Sequence, residues 1–443
     1  MEQLLHYVWK HKILPLRPLL TTDGKEVEVV HPGTYNTNSG PDFFNAKVKI
    51  DGVQWVGNIE LHVRASDWYR HKHETDASYS SIILHVVAEA DTTISYPDGS
   101  AIPQLQIEIP EYIRKNYDSL VRSEQCPRCK TIVQKMPKLM IHSWMSALQS
   151  ERLEERTRQI MERRESLDSN WEDTLFVTIA RNFGFGINGD AFEKWAYSIP
   201  MNTVAKHRDS LLQIEAIFFG QAGFLEDDDN AIDKNTCNQD NGYYKLLQKE
   251  YKFLKQKFSL KPLKHSAWRF LRLRPQNFPH IRIAQLAMLY YRQRLNLSRL
   301  INAESTDDIF SLLQTNVSEY WQTHFTFSSA ASTTTDKGLS KASLNLIIIN
   351  SVAPILFAYG KYKSDEHLCE RALSLLESIK PESNHIIREW HDAGIVCESA
   401  ADSQALIQLT HSYCEPHNCL RCRFGYEFIR QTPGLLRENE NQI

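Results

Sequence analysis

The spacing of apolar residues changes near residue 115, and this change limits the folds open to the chain. Before that point apolar and polar residues alternate, as in strands, whereas later segments repeat at helical spacing. Gly and Pro number only 17 each in 443 residues, which favours long helices and excludes collagen-like or broadly disordered chains. We therefore predict an α+β protein with a small mixed α/β sheet domain over residues 1–115 and a larger all-α domain over residues 116–443.

The first part contains recognisable elements of a sheet. Residues 1–10 have the apolar spacing of a short helix, and Asp51-Gly52 between two alternating segments is a strong hairpin signal. Residues 81–87 form a continuous apolar run, typical of a strand buried on both faces. We expect a helix over residues 69–80 before that strand, and a second hairpin around Pro97-Asp98-Gly99 after it.

Two carboxylates bracket the first hairpin. Asp42 precedes one strand, and Glu60 and His62 share one face of its partner, while the opposite face carries Ile59, Leu61 and Val63. The short connection should bring Asp42 close to Glu60, and a divalent cation such as Mg²⁺ or Mn²⁺ relieves the repulsion between two carboxylates. A cation there could promote phosphodiester hydrolysis. The alternative is a half-exposed hairpin whose charged side chains face solvent.

This arrangement resembles the PD-(D/E)xK nuclease superfamily over about the first 90 residues. Pro41-Asp42 stands for the first half of the motif, Glu60-Leu61-His62 for the second, and Glu2 for an acidic residue on the leading helix. The resemblance implies a restriction-endonuclease-like fold with catalytic residues Asp42, Glu60, His62 and Glu2. His62 replaces the usual lysine, and a neutral imidazole can accept a proton or bind a metal. A catalytically inactive nucleic-acid-binding or scaffold protein on the same fold is therefore the alternative.

A second polar cluster follows the carboxylate motif. His73, Asp76 and Tyr79 have the spacing of one helix face, and they resemble the substrate-contacting helix of nucleases of the RecB and Cas4 type. The resemblance implies that these residues, together with His71, contact the substrate phosphate. Surface placement is the alternative for His71 and His73. His85 lies inside the apolar run, where a hydrogen-bonded core histidine is favoured.

Residues 251–303 contain five lysines and seven arginines but no Asp or Glu, although the whole chain has a formal net charge of -3. Interleaved aromatic residues would add base stacking to the attraction between these cations and a nucleic-acid backbone. We expect a nucleic-acid partner, with DNA favoured over RNA. The alternative is that the aromatics are core residues and the cations pair with acids elsewhere. The candidate substrate-binding residues are Trp268, Arg269, Arg272, Arg274, Asn277 and Arg282.

Cysteines near both ends of the second part have the spacing of metal ligands. Cys126 and Cys129 form one C-x-x-C pair, and Cys419 and Cys422 form another, with Cys414 shortly before it. Two such pairs complete a tetrahedral zinc site. The alternative is a [4Fe–4S] cluster with three ligands from the second group, which resembles the arrangement in nucleases of the Cas4 and AddB type. Either site would clamp the start of the helical domain to its end.

The cysteine count and the termini bear on location. The N-terminal residues lack the basic start and apolar stretch of a signal peptide, and eight cysteines in this length are too few for a disulfide scaffold. The most apolar run, residues 344–359, is interrupted by Asn350, Ser351 and Pro354. We expect a cytoplasmic protein with reduced thiols and no membrane partner.

Motifs along the whole chain identify a wider resemblance. The chain is similar to an uncharacterised bacterial family of full-length proteins, the domain of unknown function twenty-eight fifty-one. The resemblance implies no specific activity. Its motifs here are YNTNSGPDFFNAK, IELHVRASDWYRHKH, RLRPQNFPHIRIAQLA, ADSQALIQL and YCEPHNCLRCRFG.

Overall fold

A computed structural model describes residues 1–15, 17–226, 242–292, 295–330 and 333–431. The α+β class is confirmed, with a sheet in the N-terminal part and mostly helices after it. The described chain forms two compact units. The first unit comprises Met1–Lys138, Asp392–Ile395 and residues from Leu409 onward, and the second comprises Leu139–His391 and Val396–Gln408. The first unit thus extends beyond the expected boundary at residue 115 and includes C-terminal segments.

The strands are Leu19–Leu20 (β1), Glu26–His31 (β2), Thr34–Tyr35 (β3), Phe43–Ile50 (β4), Val53–Arg64 (β5), Ile82–Glu89 (β6), Gln104–Gln106 (β7), His324–Thr326 (β8) and Ser329–Ala330 (β9). The helices are Glu2–Lys10 (α1), Asp67–Arg70 (α2), Glu111–Arg122 (α3), Lys130–Val133 (α4), Lys138–Glu165 (α5), Trp171–Phe183 (α6), Gly189–Tyr197 (α7), Met201–Lys206 (α8), Leu211–Gln221 (α9), Gly242–Phe258 (α10), Pro279–Tyr291 (α11), Leu297–Asn302 (α12), Thr306–Leu313 (α13), Glu319–Thr323 (α14), Lys341–Ile347 (α15), Ala353–Lys363 (α16), Glu366–Ser378 (α17), His385–Asp392 (α18), Ala400–Leu409 (α19) and Arg423–Ile429 (α20).

The sheet of the first unit has the order β1-β2-β4-β5-β6-β7, and β3 also pairs with β4. The predicted hairpin joins β4 to β5, and its two central residues, Asp51 and Gly52, both have positive φ as a tight hairpin turn requires. The expected second hairpin is reduced to one bridge between Ser95 and Ala101, after which β7 pairs parallel to β6. A bridge from Thr21 to Leu105 links the first and last strands, so the sheet nearly closes.

The segment between β5 and β6 differs from the single helix expected over residues 69–80. It consists of the short helix α2 and two 3₁₀ turns, His73–Thr75 and Ala77–Tyr79. Lys72 separates α2 from the first turn and has a left-handed φ of 62°. A left-handed residue interrupts a right-handed helix, so α2 does not continue through residues 73–80.

Gly57 lies just before the point where β5 gains a second partner. β5 pairs antiparallel with β4 as far back as the Phe43–Ile59 pair, and from Asn58 onward it also pairs parallel with β6. A Cβ atom on Gly57 would lie 2.4 Å from Ile83 Cγ2 and 2.8 Å from the Ser81 carbonyl oxygen. The absence of a side chain therefore allows β6 to approach the start of the Asn58–His62 segment.

We expect Gly57→Ala to destabilise the first unit by about 2 kcal/mol, because the added methyl overlaps backbone that cannot move without shifting the strand register. The midpoint of thermal denaturation, followed by circular dichroism, should fall by about 4–8 °C. Gly242→Ala is the control, since a Cβ there meets no atom within 4 Å. Equal midpoints for the two variants would show that the close approach is unimportant.

The second unit is built around a large core contributed by many of its helices. The apolar run of residues 344–359 lies within one helix, Lys341–Lys363, which has a π-helical turn at Ile348–Val352. Pro354 has no N–H to donate, and the Asn350 carbonyl accepts a hydrogen bond from Asn182 Nδ2 at 3.0 Å. By length and composition this helix could cross a membrane, but 67% of its apolar window is buried in the protein.

Candidate functional site

Asp42, just before β4, lies beside Glu60 of β5, at the end of the hairpin away from its turn. The backbone N–H of Asp42 donates to Glu60 Oε2 at 3.1 Å, and the N–H of Leu61 donates to Asp42 Oδ2 at 3.0 Å. Glu60 is 5% exposed and His62 is 2% exposed. The alternative of a half-exposed hairpin is therefore wrong, because the face that carries Glu60 and His62 is covered.

Glu60 is a buried acid without a fixed cation among its described neighbours. Burial, together with the smaller effect of the nearby carboxylates of Asp42 and Glu2, raises the pKa of Glu60 to about 9. Glu2, on α1, is therefore near enough to influence Glu60 electrostatically, and its catalytic role stays a prediction. At neutral pH the Glu60 carboxyl keeps its proton unless a cation replaces it.

Three histidines complete the site around Glu60. Donor atoms of His62, His71 and His73 all lie within 4.8 Å of one another. His62 Nε2 is 3.1 Å from His71 Nδ1 and 3.7 Å from Glu60 Oε1, and His73 Nε2 is 3.4 Å from the same oxygen. Atoms bound about 2.1 Å from one ion lie roughly 3.0–3.4 Å apart in octahedral or tetrahedral geometry. The separations of 3.1 and 3.4 Å match this spacing and the separation of 3.7 Å is slightly longer, so the three imidazoles, with Glu60 beside them, could hold a single cation.

His62 is neutral in this environment. Burial and the neighbouring histidines lower the pKa of His62 to about 2, so it cannot supply the positive charge of the lysine it replaces. His62 Nδ1 lies 2.9 Å from Nε2 of His85, which is fully buried and has its pKa lowered to about 4 by burial. With Nε2 of His62 binding a cation, its Nδ1–H would donate to His85, an outer hydrogen bond common for ligating histidines.

The second polar cluster divides between the site and the surface. Tyr79 is buried and stacks on His73 with ring centroids 3.8 Å apart, while Trp68 meets the same imidazole edge-on. His71 is exposed and gives the site an opening to solvent. Asp76 is also exposed, and its carboxylate accepts a hydrogen bond from the Ser78 backbone N–H, which caps the second 3₁₀ turn.

His6 is a site residue that the sequence prediction missed. His6 Nε2 lies 3.1 Å from Asp42 Oδ2, and the residue is 9% exposed. Among the described residues neither of its ring nitrogens has a partner with hydrogen-bond geometry. His6 follows Glu2 by four positions and so lies on the same face of α1, which was the available signal.

Metal binding should depend on pH through Glu60. Below its pKa of about 9 the free carboxyl is protonated, so binding of a cation must release that proton. We expect the Kd for Mn²⁺, measured by calorimetry, to fall about tenfold per unit as pH rises from roughly 7 to 9, and to level off above that. Glu60→Gln should bind weakly with no such slope, and an equal slope in that variant would assign the proton to another group.

Five cysteines gather in the first unit, although they are far apart in the sequence. Cys129, Cys414, Cys419 and Cys422 line one small cavity of about 20 Å³. Burial and neighbouring thiols raise the pKa of Cys129 and Cys414, so their thiolates need a compensating cation. Cys126 is exposed, and it is one of the neighbouring thiols that raise the pKa of Cys414. The distant C-x-x-C pairs therefore do come together.

The candidate substrate-binding residues of the basic segment occupy two environments in the second unit. Trp268 is buried and donates to the Ala222 carbonyl, and Arg282 is buried and bonds to Gln285 and Asn277. These two side chains thus serve the core instead of the surface. Residues 293–294 of the segment lie outside the described residues. The exposed candidates are Arg269, Arg272, Arg274 and Asn277, with Lys261 and Lys264 also exposed nearby.

The fold and the two clusters define an α+β protein with a buried carboxylate–histidine site and a separate cysteine site. The chain belongs to the family described as protein of unknown function (DUF2851), whose model matches residues 2–385. No curated protein and no solved structure matches the chain. The matched range contains the carboxylate–histidine site and the first C-x-x-C pair, and it ends before Cys414.

Proposed function

We propose that this protein is a metal-dependent nuclease that hydrolyses phosphodiester bonds in DNA with a divalent cation held by Asp42, Glu60 and the neighbouring histidines. The observation that carries the proposal is the buried Glu60 carboxyl, with imidazole nitrogens at 3.4 and 3.7 Å from one of its oxygens. Imidazole ligands beside carboxylates favour Mn²⁺ over Mg²⁺.

The order of elements supports the nuclease interpretation. Helix α1 comes first, Asp42 precedes β4, Glu60 and His62 lie on β5, and a short helical segment then leads to the parallel strand β6. This succession agrees with the helix, the Asp strand and the Glu-x-Lys strand that the PD-(D/E)xK resemblance implies. A restriction-endonuclease-like core is accordingly part of the proposal.

Each site residue has a distinct role in the proposed reaction. A bound divalent cation would polarise the phosphate and lower the pKa of a nearby water. Asp42 and Glu60 supply negative charge, while neutral His62 supplies a nitrogen ligand. His73 would supply a second nitrogen ligand, because burial lowers its pKa and keeps its imidazole neutral. His71 lies at the exposed side, where substrate would enter.

The exposed cations of the basic segment would hold the DNA backbone. Lys261, Lys264, Arg269, Arg272 and Arg274 are exposed on the connection between α10 and α11. None of these five side chains has an ion pair with a described residue, so their charge is open to phosphate. Their contribution should be independent of sequence and should weaken with salt.

A catalytically inactive DNA-binding protein is the second candidate function. The replacement of lysine by a neutral His62 favours it, since a cation that normally steadies the phosphate is missing. Under this alternative the carboxylate–histidine site would bind metal for stability, and DNA would be bound without being cut.

Cleavage assays with labelled single-stranded and double-stranded DNA and RNA, with Mn²⁺ or Mg²⁺, separate the two candidates. The nuclease proposal expects cleavage with Mn²⁺ that is lost in Asp42→Asn. Binding to DNA without cleavage under any of these conditions would favour the inactive protein. Cleavage of RNA alone would support metal-dependent phosphodiester hydrolysis and contradict DNA as the substrate.

The cysteine cavity supports a separate proposal of a structural metal site. The four cysteines that line it suit one tetrahedral zinc ion, and a [4Fe–4S] cluster is the alternative. The absorption spectrum of protein purified without oxygen distinguishes them, because a cluster absorbs at about 400 nm whereas zinc is colourless. One equivalent of zinc in colourless protein would end the cluster interpretation.

A further inference from the structure

A second cavity, of about 160 Å³, lies beside the carboxylate–histidine site in the first unit. It is lined by residues of α1, by Tyr35 of β3 and by four residues of the C-terminal cysteine segment (residues 414–422), namely His417, Asn418, Leu420 and Arg421. Its volume equals roughly five water molecules, which leaves room for a phosphate group and part of a sugar. His6 lines this cavity and also lies 3.1 Å from Asp42, so the cavity adjoins the proposed metal site directly.

Two cations flank the same aromatic ring in this cavity. Lys10 Nζ lies 5.5 Å and Arg421 Cζ 5.9 Å from the centre of the Tyr35 ring. Neither cation has an ion pair with a carboxylate among the described residues. Burial and the charge of Arg421 lower the pKa of Lys10, so the two like charges repel each other at some energetic cost. An anion between them would offset that cost.

His6 supplies an independent sign that a ligand is missing. The residue is 9% exposed, and neither ring nitrogen has a hydrogen-bond partner in the described parts of the chain. His6 Nε2 lies 3.1 Å from the Asp42 carboxylate, whereas Nδ1 has no partner among the described residues, and a ligand oxygen in the cavity would provide Nδ1 with one.

We infer that this cavity binds a backbone phosphate of the nucleic-acid strand next to the one that is cleaved, with Lys10 and Arg421 as its ligands. Arg421 presents a guanidinium that suits phosphate oxygens, and Tyr35 offers a ring on which the adjoining sugar or base can pack. The inference deepens the proposed nuclease function and rests on it for the identity of the strand. It also gives the cysteine segment a role, since Arg421 lies between Cys419 and Cys422.

The test measures DNA binding without catalysis. A fluorescein-labelled single-stranded 12-mer is titrated with the full-length protein in EDTA, and anisotropy gives the Kd at several salt concentrations. We expect Lys10→Ala and Arg421→Ala each to weaken binding about tenfold. Each should also reduce the slope of log Kd against log salt concentration by about one, the loss of one phosphate contact. Arg421→Lys should retain part of the affinity, which guards against a folding defect in the cysteine segment. Lys47→Ala removes an exposed cation of β4 outside the cavity and should leave the Kd unchanged.

The outcomes separate this inference from the nuclease proposal. If Lys10→Ala and Arg421→Ala behave like Lys47→Ala in both Kd and salt dependence, the cavity is not a phosphate site, even if the protein cleaves DNA. If binding depends on Lys10 and Arg421 while no cleavage occurs with Mn²⁺, the phosphate site stands and the nuclease proposal fails. Absence of any DNA binding by the wild-type protein overturns the inference.

Discussion

Glu60→Gln should reduce Mn²⁺-dependent DNA cleavage by about 10³-fold or more. The amide preserves shape and still accepts the backbone N–H of Asp42, which now bonds to Glu60 Oε2 at 3.1 Å. It removes the negative charge that would hold the cation between Asp42 and the histidines. Fold and stability should survive, because the free Glu60 carboxyl, with a pKa of about 9, is already neutral at pH 7.

The measurement is the single-turnover rate of cleavage of end-labelled DNA at saturating enzyme, together with the thermal midpoint of each protein. Glu89→Gln is the matched control, since Glu89 lies exposed on β6 and pairs with Arg64 at the surface. Retention of more than about a tenth of the rate in Glu60→Gln would contradict a role for this carboxylate in holding the cation.

Cys419→Ser should remove the structural metal and destabilise the first unit. Structural metal sites contribute directly to folding energy, and a serine hydroxyl does not replace a thiolate ligand. A loss of about 4 kcal/mol would lower the thermal midpoint by roughly 10 °C in a unit of this size. The effect should be confined to the first unit, because the residues that line the cysteine cavity all belong to it.

Metal content and thermal midpoint are measured on the same samples of wild-type, Cys419→Ser and Cys369→Ser protein. Cys369 lies in the second unit and is not among the residues that line the cavity, so its variant should retain the metal. Cys419→Ser protein that retains a full equivalent of metal and an unchanged midpoint would contradict a structural site there.

The carboxylate pair was predictable because its geometry is local. Asp51-Gly52 fixes a tight hairpin, and the register of that hairpin places Phe43 opposite Ile59, which brings Asp42 to Glu60. The strand order in the remainder of the sheet depends on pairing between segments more distant in sequence. The parallel pairing of β7 with β6 was therefore missed in favour of a local hairpin.

The histidine site was only partly predictable, because its completion depends on where α2 ends. A regular helix over residues 69–80 would have placed His73 and Tyr79 on one continuous face. The left-handed conformation of Lys72 ends α2 instead, and His73 then meets Glu60 on β5. A non-glycine residue in this conformation carries little signal in the sequence.

Composition alone also could not separate buried from exposed cations in the basic segment. Arg282 is buried, and Asn277 and Gln285 accept its hydrogen bonds. Its guanidinium carbon lies 4.3 Å from the centre of the Phe185 ring. Arg272 and Arg274 are exposed in the same segment. Such differences follow from the packing of α11 within the second unit, which the local charge pattern does not encode.

The central claim, a cation held by the carboxylate–histidine site, is tested most directly by anomalous diffraction from crystals soaked in Mn²⁺. We expect one strong peak about 2.2 Å from Glu60 Oε1 and from nitrogens of His62 and His73. The peak should disappear in crystals of Glu60→Gln grown and soaked in the same way. A fully soaked wild-type crystal with no peak at these atoms, or with Mn²⁺ bound only elsewhere, would contradict the account.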